Sequence, residues 1–136
     1  MPMPITLKVT LKTVNGVKCL DVDDANNANH VSQSPQAQSI VWELEGEAAS
    51  GSFQPLDATP PGFKFLTLTP DPWTTAFSTL ARSPNGNTLT ISDLNNSSNT
   101  QGTWKYQLYV SVGGHLYSTT ATTKTLTSND PTIKNN

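Results

Sequence analysis

One bond in this sequence carries chemistry of its own: Asp130–Pro131, in the closing stretch TSNDPTIKNN. The Asp130 carboxylate can attack its own backbone carbonyl carbon, closing a five-membered anhydride and expelling the proline nitrogen. Proline favours this route twice. Its tertiary amide has no N–H, which closes the competing succinimide path, and its nitrogen is more basic than an ordinary amide nitrogen. A tethered nucleophile is worth effective molarities of order 10⁵–10⁸ M, so the barrier that remains is protonation of the leaving nitrogen. A fold can lower that barrier with a neighbouring acid or by straining the bond out of plane. Asp-Pro is equally an ordinary turn dipeptide, and Asp71–Pro72 is a second copy in the same chain.

Other chemistry-bearing residues are scattered. His30 and His115 lie far apart, each in or beside an expected turn, and a metal site would need a third ligand from Asp, Glu or the lone Cys19. No local spacing supplies one, so the reading is two solvated loop histidines, with no metal and no cofactor. A single cysteine excludes an intramolecular disulfide. Serines are plentiful, but there is no GxSxG elbow to expose one as a nucleophile. The carboxylates Glu43, Glu45, Asp57, Asp71 and Asp93 can pair in space for sugar hydrolysis, a matter of separation that sequence does not fix. Trp73 reads either as a stacking platform for a sugar ring or as a plug at the end of a β-sandwich.

These residues need a scaffold, and the composition says which kind. The 136 residues suit one domain, residues 1–136. Charged residues make up 13% against a usual share of about 25%, and Thr, Ser and Asn take their place. Hydroxyl and β-branched side chains suit half-wet sheet faces and Asn suits turns, which points to an all-β fold. A net charge of -2, without a Lys/Arg cluster beside aromatics, argues against nucleic-acid binding. The start MPMPITLKVTLK lacks the basic head, apolar stretch and cleavage site of a signal peptide, and no run approaches the ~20 apolar residues of a membrane span. The expected compartment is the cytoplasm, although a secreted or virion protein already stripped of its leader reads the same way.

Period-two alternation marks the strands. Ile5, Leu7, Val9 and Leu11 alternate with Thr and Lys, and Asn15-Gly16 is a strong hairpin signal. Folding there pairs Leu11 with Leu20 and Val9 with Val22, and places Cys19 beside Lys12 on the opposite face. Residues 23–38 read as a long polar loop. Ile40, Trp42 and Leu44 form a second strand, Phe53 anchors a loop, and residues 63–68 return to strand. Residues 73–77 read as a short edge strand, with Leu89 and Ile91 in the next one. Trp104, Tyr106, Leu108, Val110 and Val112 then share one face, with Lys105, Gln107 and Tyr109 on the other. A turn at Gly113-Gly114 pairs Val110 with Tyr117, Leu108 with Thr119 and Tyr106 with Ala121. About eight short strands spaced by turns predict a two-sheet, immunoglobulin-like β-sandwich.

The strand SIVWELEG, the following GSF, the stretch GTWKYQLYV and the terminal DPTIKN together resemble the DP-EP family of small all-β bacterial proteins. That family includes self-processing aspartic peptidases that cut themselves at an Asp-Pro bond near the C-terminus. The resemblance implies that Asp130 supplies the attacking carboxylate and scissile carbonyl, and Pro131 the leaving nitrogen. It implies that Lys105 orients or stabilises the developing oxyanion. The family's partner carboxylate has no secure match; Glu43 or Glu45, on one strand face opposite Trp42, is the expected acid. Asp130 must be ionised while the partner stays protonated, a split that different surroundings can impose on two carboxyls. Two functions follow: an intramolecular cleavage whose partner is the protein's own C-terminal peptide, or a non-catalytic sandwich that binds a protein or glycan.

Overall fold

The computed structural model describes residues 4–14, 16–119 and 131–136. The fold is an all-β sandwich of two sheets, each of mixed strand direction. The first sheet is built from β1 (Ile5–Val14), β2 (Val17–Val22), β4 (Gln38–Leu44), β7 (Phe77–Arg82) and β8 (Thr88–Asp93), in the order β2-β1-β4-β8-β7. The second contains β3 (His30–Val31), β9 (Gly102–Val112), β10 (His115–Ser118) and β11 (Thr132–Asn135), in the order β10-β9-β11-β3, with β5 (Ser52–Phe53) and β6 (Phe63–Phe65) also pairing with β9.

Local sequence accounts for most of this. The first hairpin has the expected register, Leu11 opposite Leu20, Val9 opposite Val22 and Lys12 opposite Cys19. Gly16 takes φ +80°, a left-handed conformation that the turn requires and that glycine adopts without a Cβ clash. β4 lies between β1, to which it runs parallel, and β8, to which it runs antiparallel; Ile40, Trp42 and Leu44 point inward from it and are buried.

β9 is the spine of the second sheet. Its even-numbered residues turn their backbone groups to one neighbour side: Thr119 N–H donates to the Leu108 carbonyl, and Tyr106 N–H to that of Pro131. Its odd-numbered residues serve the other side, where Tyr109 N–H donates to Gly62 and its carbonyl accepts from Gln54. One long strand therefore receives β10 and then β11 along a single edge. The expected pairings of Val110 with Tyr117 and of Leu108 with Thr119 are present, while Ala121 lies outside the described residues.

Between the sheets sits an aromatic core. Trp42 meets Phe63 at 5.1 Å between ring centroids, Phe63 stacks on Tyr106 at 5.4 Å, and Phe77 meets Trp104 edge-on at 5.2 Å. Trp42 Nε1–H donates to the Tyr106 hydroxyl at 2.8 Å, giving both buried polar atoms a partner. Burial pushes the Tyr106 phenol well above its ordinary range.

Several local expectations need correction. Residues 23–38 are not loop throughout, because His30–Val31 forms β3, whose partner β11 lies far along the chain. The expected edge strand at residues 73–77 is instead a short helix, α1 (Pro72–Thr75), leading into β7. Asp71 caps it, accepting Trp73 N–H at 3.0 Å, and Pro72 at its first turn has the φ a helix start needs. The strand expected over residues 63–68 ends at Phe65, where Leu66 and Thr67 N–H both converge on the Lys105 carbonyl. Two-residue strands raise the number from about eight to the eleven among the described residues.

Candidate functional site

Asp130 lies outside the described residues; Pro131 and the strand after it lie within them. The Pro131 carbonyl accepts a hydrogen bond from Tyr106 N–H at 3.0 Å. From there β11 runs antiparallel to β9, with Thr132 opposite Lys105, Ile133 opposite Trp104, Lys134 opposite Thr103 and Asn135 opposite Gly102. Its other edge pairs in parallel with β3: Lys134 N–H donates to Asn29 and Asn136 N–H to Val31. The Asn29 side-chain amide adds a bond to the Thr132 carbonyl at 2.9 Å. Ile133 is fully buried. Four of the six residues from Pro131 to Asn136 thus form an inner strand of the second sheet, fastened along both edges.

Lys105 is brought to this strand. Directly opposed residues of an antiparallel pair share a face, so Lys105 stands beside Thr132, one residue past Pro131, on the exposed face of the second sheet. Its backbone is fixed by Thr67, whose hydroxyl accepts Lys105 N–H at 2.9 Å. Among the described residues no carboxylate pairs with its ammonium.

Glu43 and Glu45 are not brought to Lys105 or Pro131. Glu43 is exposed on β4, alternating with Trp42 and Leu44, which point into the sandwich. Glu45 lies on the same outer side, with its carboxylate 3.6 Å from Lys8 Nζ. The feature that suggested them, a shared face opposite Trp42, is what removes them. Trp42 points toward the second sheet, so both glutamates point away from it, across packed sheets about 10 Å apart.

The carboxyl that the structure does single out is Asp93. It continues the inward stripe of β8 after Leu89 and Ile91 and has no exposed surface. Its Oδ1 accepts from Asn135 Nδ2 at 2.9 Å, and that same amide nitrogen donates to the Thr100 carbonyl at 2.8 Å. Burial raises the Asp93 carboxyl to about 7, with the Asn135 hydrogen bond opposing the shift. Nearby, Asn95 Nδ2 donates to the carbonyls of Val31 and Asn136, and Asn95 Oδ1 accepts from the Thr100 hydroxyl. Asp93 was visible in sequence only as one of five carboxylates. The signal that distinguishes it is register: Leu89-x-Ile91-x-Asp93 places a carboxyl where a core side chain belongs, and Ile133-x-Asn135 does the same with an amide. Asp93 does not reach the Pro131 nitrogen, because Asn135 lies four residues beyond Pro131, roughly 13 Å along an extended strand.

The remaining candidates are dispersed. His115 opens β10 and is exposed; His30 is half-buried in β3, in register with Lys134. Among the described residues no three of His, Cys, Asp and Glu stand together as a metal site. Cys19 is buried. Asp71 is occupied as a helix cap. Trp73 is 46% exposed and meets Phe65 edge-on at 5.2 Å. Among the described residues no helix is long and apolar enough to cross a membrane. Compared with known proteins, the chain matches no family model and no curated protein.

Proposed function

We propose that this chain is a self-processing domain that cleaves its own Asp130–Pro131 bond and keeps the hexapeptide PTIKNN in place as β11. The Asp130 carboxylate adds to its own carbonyl carbon, the C–N bond to Pro131 breaks, the proline nitrogen takes up a proton, and water opens the anhydride to leave a C-terminal Asp130. The resemblance to the DP-EP family favours the same bond. The observation that carries the reading is the fastening of the leaving side: Tyr106 holds the Pro131 carbonyl, and β9 and β3 grip the strand that follows. A nitrogen held in one place presents one geometry to an attacking carboxylate, and positioning is the larger part of an intramolecular reaction's advantage.

Residues 120–129, TATTKTLTSN, contain no carboxyl, and Glu43, Glu45 and Asp93 do not reach Pro131. In this reading solvent supplies the proton for the nitrogen, and cleavage quickens with acidity until Asp130 itself is protonated. The pairing of Lys105 with Thr132 supports a role for its ammonium in steadying negative charge that develops at the scissile carbonyl. The test is intact mass under denaturing conditions, followed over hours at mildly acidic pH. Wild-type chain loses six residues and Asp130→Ala does not. An unchanged wild-type mass over days overturns the proposal.

A second reading, a non-catalytic sandwich that binds a protein or glycan, is favoured by Trp73. Its half-exposed ring is backed by Phe65, and its backbone is fixed by the Asp71 cap. Saturable quenching of tryptophan fluorescence by a soluble glycan, lost in Trp73→Ala, supports it; no response from wild type counts against a glycan.

A further inference from the structure

We infer that Asp93 is held as a neutral carboxylic acid that closes a two-point ring with the Asn135 side-chain amide, so that a single proton clasps the C-terminal strand to the first sheet. This goes beyond self-cleavage and does not depend on it.

Among the described residues two buried side-chain polar atoms have no hydrogen-bond partner, Asp93 Oδ2 and Asn135 Oδ1. They belong to two side chains already joined by a bond from Asn135 Nδ2 to Asp93 Oδ1. Both orphans are acceptors when Asp93 is ionised, and leaving them so is costly. One proton on Oδ2 answers both at once: it turns Asp93 into a donor toward Asn135 Oδ1, and the acid and amide then satisfy each other in both directions. The amide cannot avoid this by flipping. Its nitrogen also donates to the Thr100 carbonyl, which accepts only, so a flip would set oxygen against oxygen.

The surroundings leave Asp93 to this one partner. In its own sheet it lies opposite Gln38 of β4 and Phe77 of β7, neither of them charged. From the second sheet it meets Asn135, whose own neighbours are the Thr100 carbonyl, Gly102 of β9 and Val31 of β3. The charged groups on these elements face elsewhere, and the inward-pointing Tyr106 hydroxyl of β9 is held by Trp42. Lys134 and His30 alternate to the outer face, Lys105 lies three residues from Gly102 on an exposed face, and Glu43 and Arg82 stand at the far ends of β4 and β7. Among the described residues no cation is positioned to stabilise the carboxylate. The upward displacement of the Asp93 carboxyl to about 7, caused chiefly by burial, agrees with the geometry. Its consequence is directional. Below neutrality the clasp is closed; as pH rises Asp93 loses its proton, faces an amide oxygen with no donor between them, and β11 loosens.

The experiment is amide hydrogen exchange of the full chain, corrected for intrinsic rates, on Lys134 and Asn136, whose N–H groups bond to Asn29 and Val31. Between about pH 5 and about pH 8, wild-type protection should fall roughly tenfold or more relative to that of the β1–β4 amides. Asp93→Asn places an amide N–H where the acid proton stands, mimicking the closed clasp without a titrating group, and its protection should not change with pH. An Asp93→Asn protein that loses protection as wild type does overturns the inference. If that variant does not fold, the ¹³C carboxyl shift of Asp93 in wild type decides: a midpoint close to 7 supports the clasp, and one near the ordinary carboxylate value of about 3.9 overturns it.

Discussion

The backbone N–H of Tyr106 donates to the carbonyl of Pro131 at 3.0 Å, so the residue that follows Asp130 is tied to the residue at the centre of the aromatic core. Whatever happens at Asp130–Pro131 happens against a fixed partner. The cut product is expected to keep its hexapeptide: native size exclusion should show one species after cleavage, with PTIKNN freed only on denaturation.

Lys105 gives the first test by substitution. Lys105→Ala should slow cleavage roughly three- to tenfold, well short of the 10²–10³ seen for a buried oxyanion donor, because solvent screens an exposed ammonium. Its fold should be retained, since Lys105 is anchored to Thr67 through its backbone. A time course of intact mass checks the rate, and circular dichroism the fold.

The second Asp-Pro bond is an internal control. Asp71 Oδ1 already accepts Trp73 N–H, and the Asp71 carbonyl accepts from Thr75 N–H, so the helix cap holds both groups apart from the anhydride geometry in the folded protein. Native chain should be cut at Asp130–Pro131 and not at Asp71–Pro72, whereas hot acid on unfolded chain should cut both at similar rates; fragment masses distinguish the two. Asp71→Ala should cost about 1 kcal/mol by loss of the cap, read from a urea midpoint.

The buried Trp42–Tyr106 hydrogen bond should behave as a coupled pair. Tyr106→Phe strands the indole N–H and should destabilise by about 1–3 kcal/mol. Trp42→Phe loses the same bond as well as packing. Adding Tyr106→Phe to Trp42→Phe should then cost less than it does alone, because the donor it would strand is already gone. Urea unfolding of the two single variants and the double variant measures the difference.

Stability should fall as pH rises through the range in which Asp93 titrates in the folded state. The folded carboxyl lies at about 7 against an ordinary 3.8, so between those values the native state holds a proton that the unfolded chain has released. The slope of unfolding free energy with pH is then negative, at most about 1.4 kcal/mol per pH unit and about 4 kcal/mol across the window, and this contribution is flat above and below it. Urea midpoints in a pH series check the sign.

How much of this could be read from the sequence depended on whether the decisive contact was local. The Leu11–Leu20 and Val110–Tyr117 registers were legible because each follows from alternation on both sides of a glycine turn. β3 was not, because His30–Val31 sits in polar sequence and becomes a strand only by pairing with the distant β11. The helix at Pro72–Thr75 was misread as strand although Asp71-Pro72 is a recognisable cap followed by a first-turn proline. At the candidate site, Lys105 was named through the family resemblance alone and its pairing with Thr132 came from the structure, while Glu43 and Glu45 were chosen by their face without knowing which way that face looked. Asp93 and Asn135 stand 42 residues apart, on strands of different sheets, and no pattern within either strand names the other.

Of all these measurements, the most direct follows the rate at which the hexapeptide is severed in native protein and in the same protein unfolded in urea at one pH, each quantified by denaturing mass spectrometry. Self-processing predicts that native chain is cut faster and that Asp130→Ala releases the hexapeptide in neither condition. Equal rates in folded and unfolded chain would contradict it, since the fold would then contribute nothing to breaking the bond.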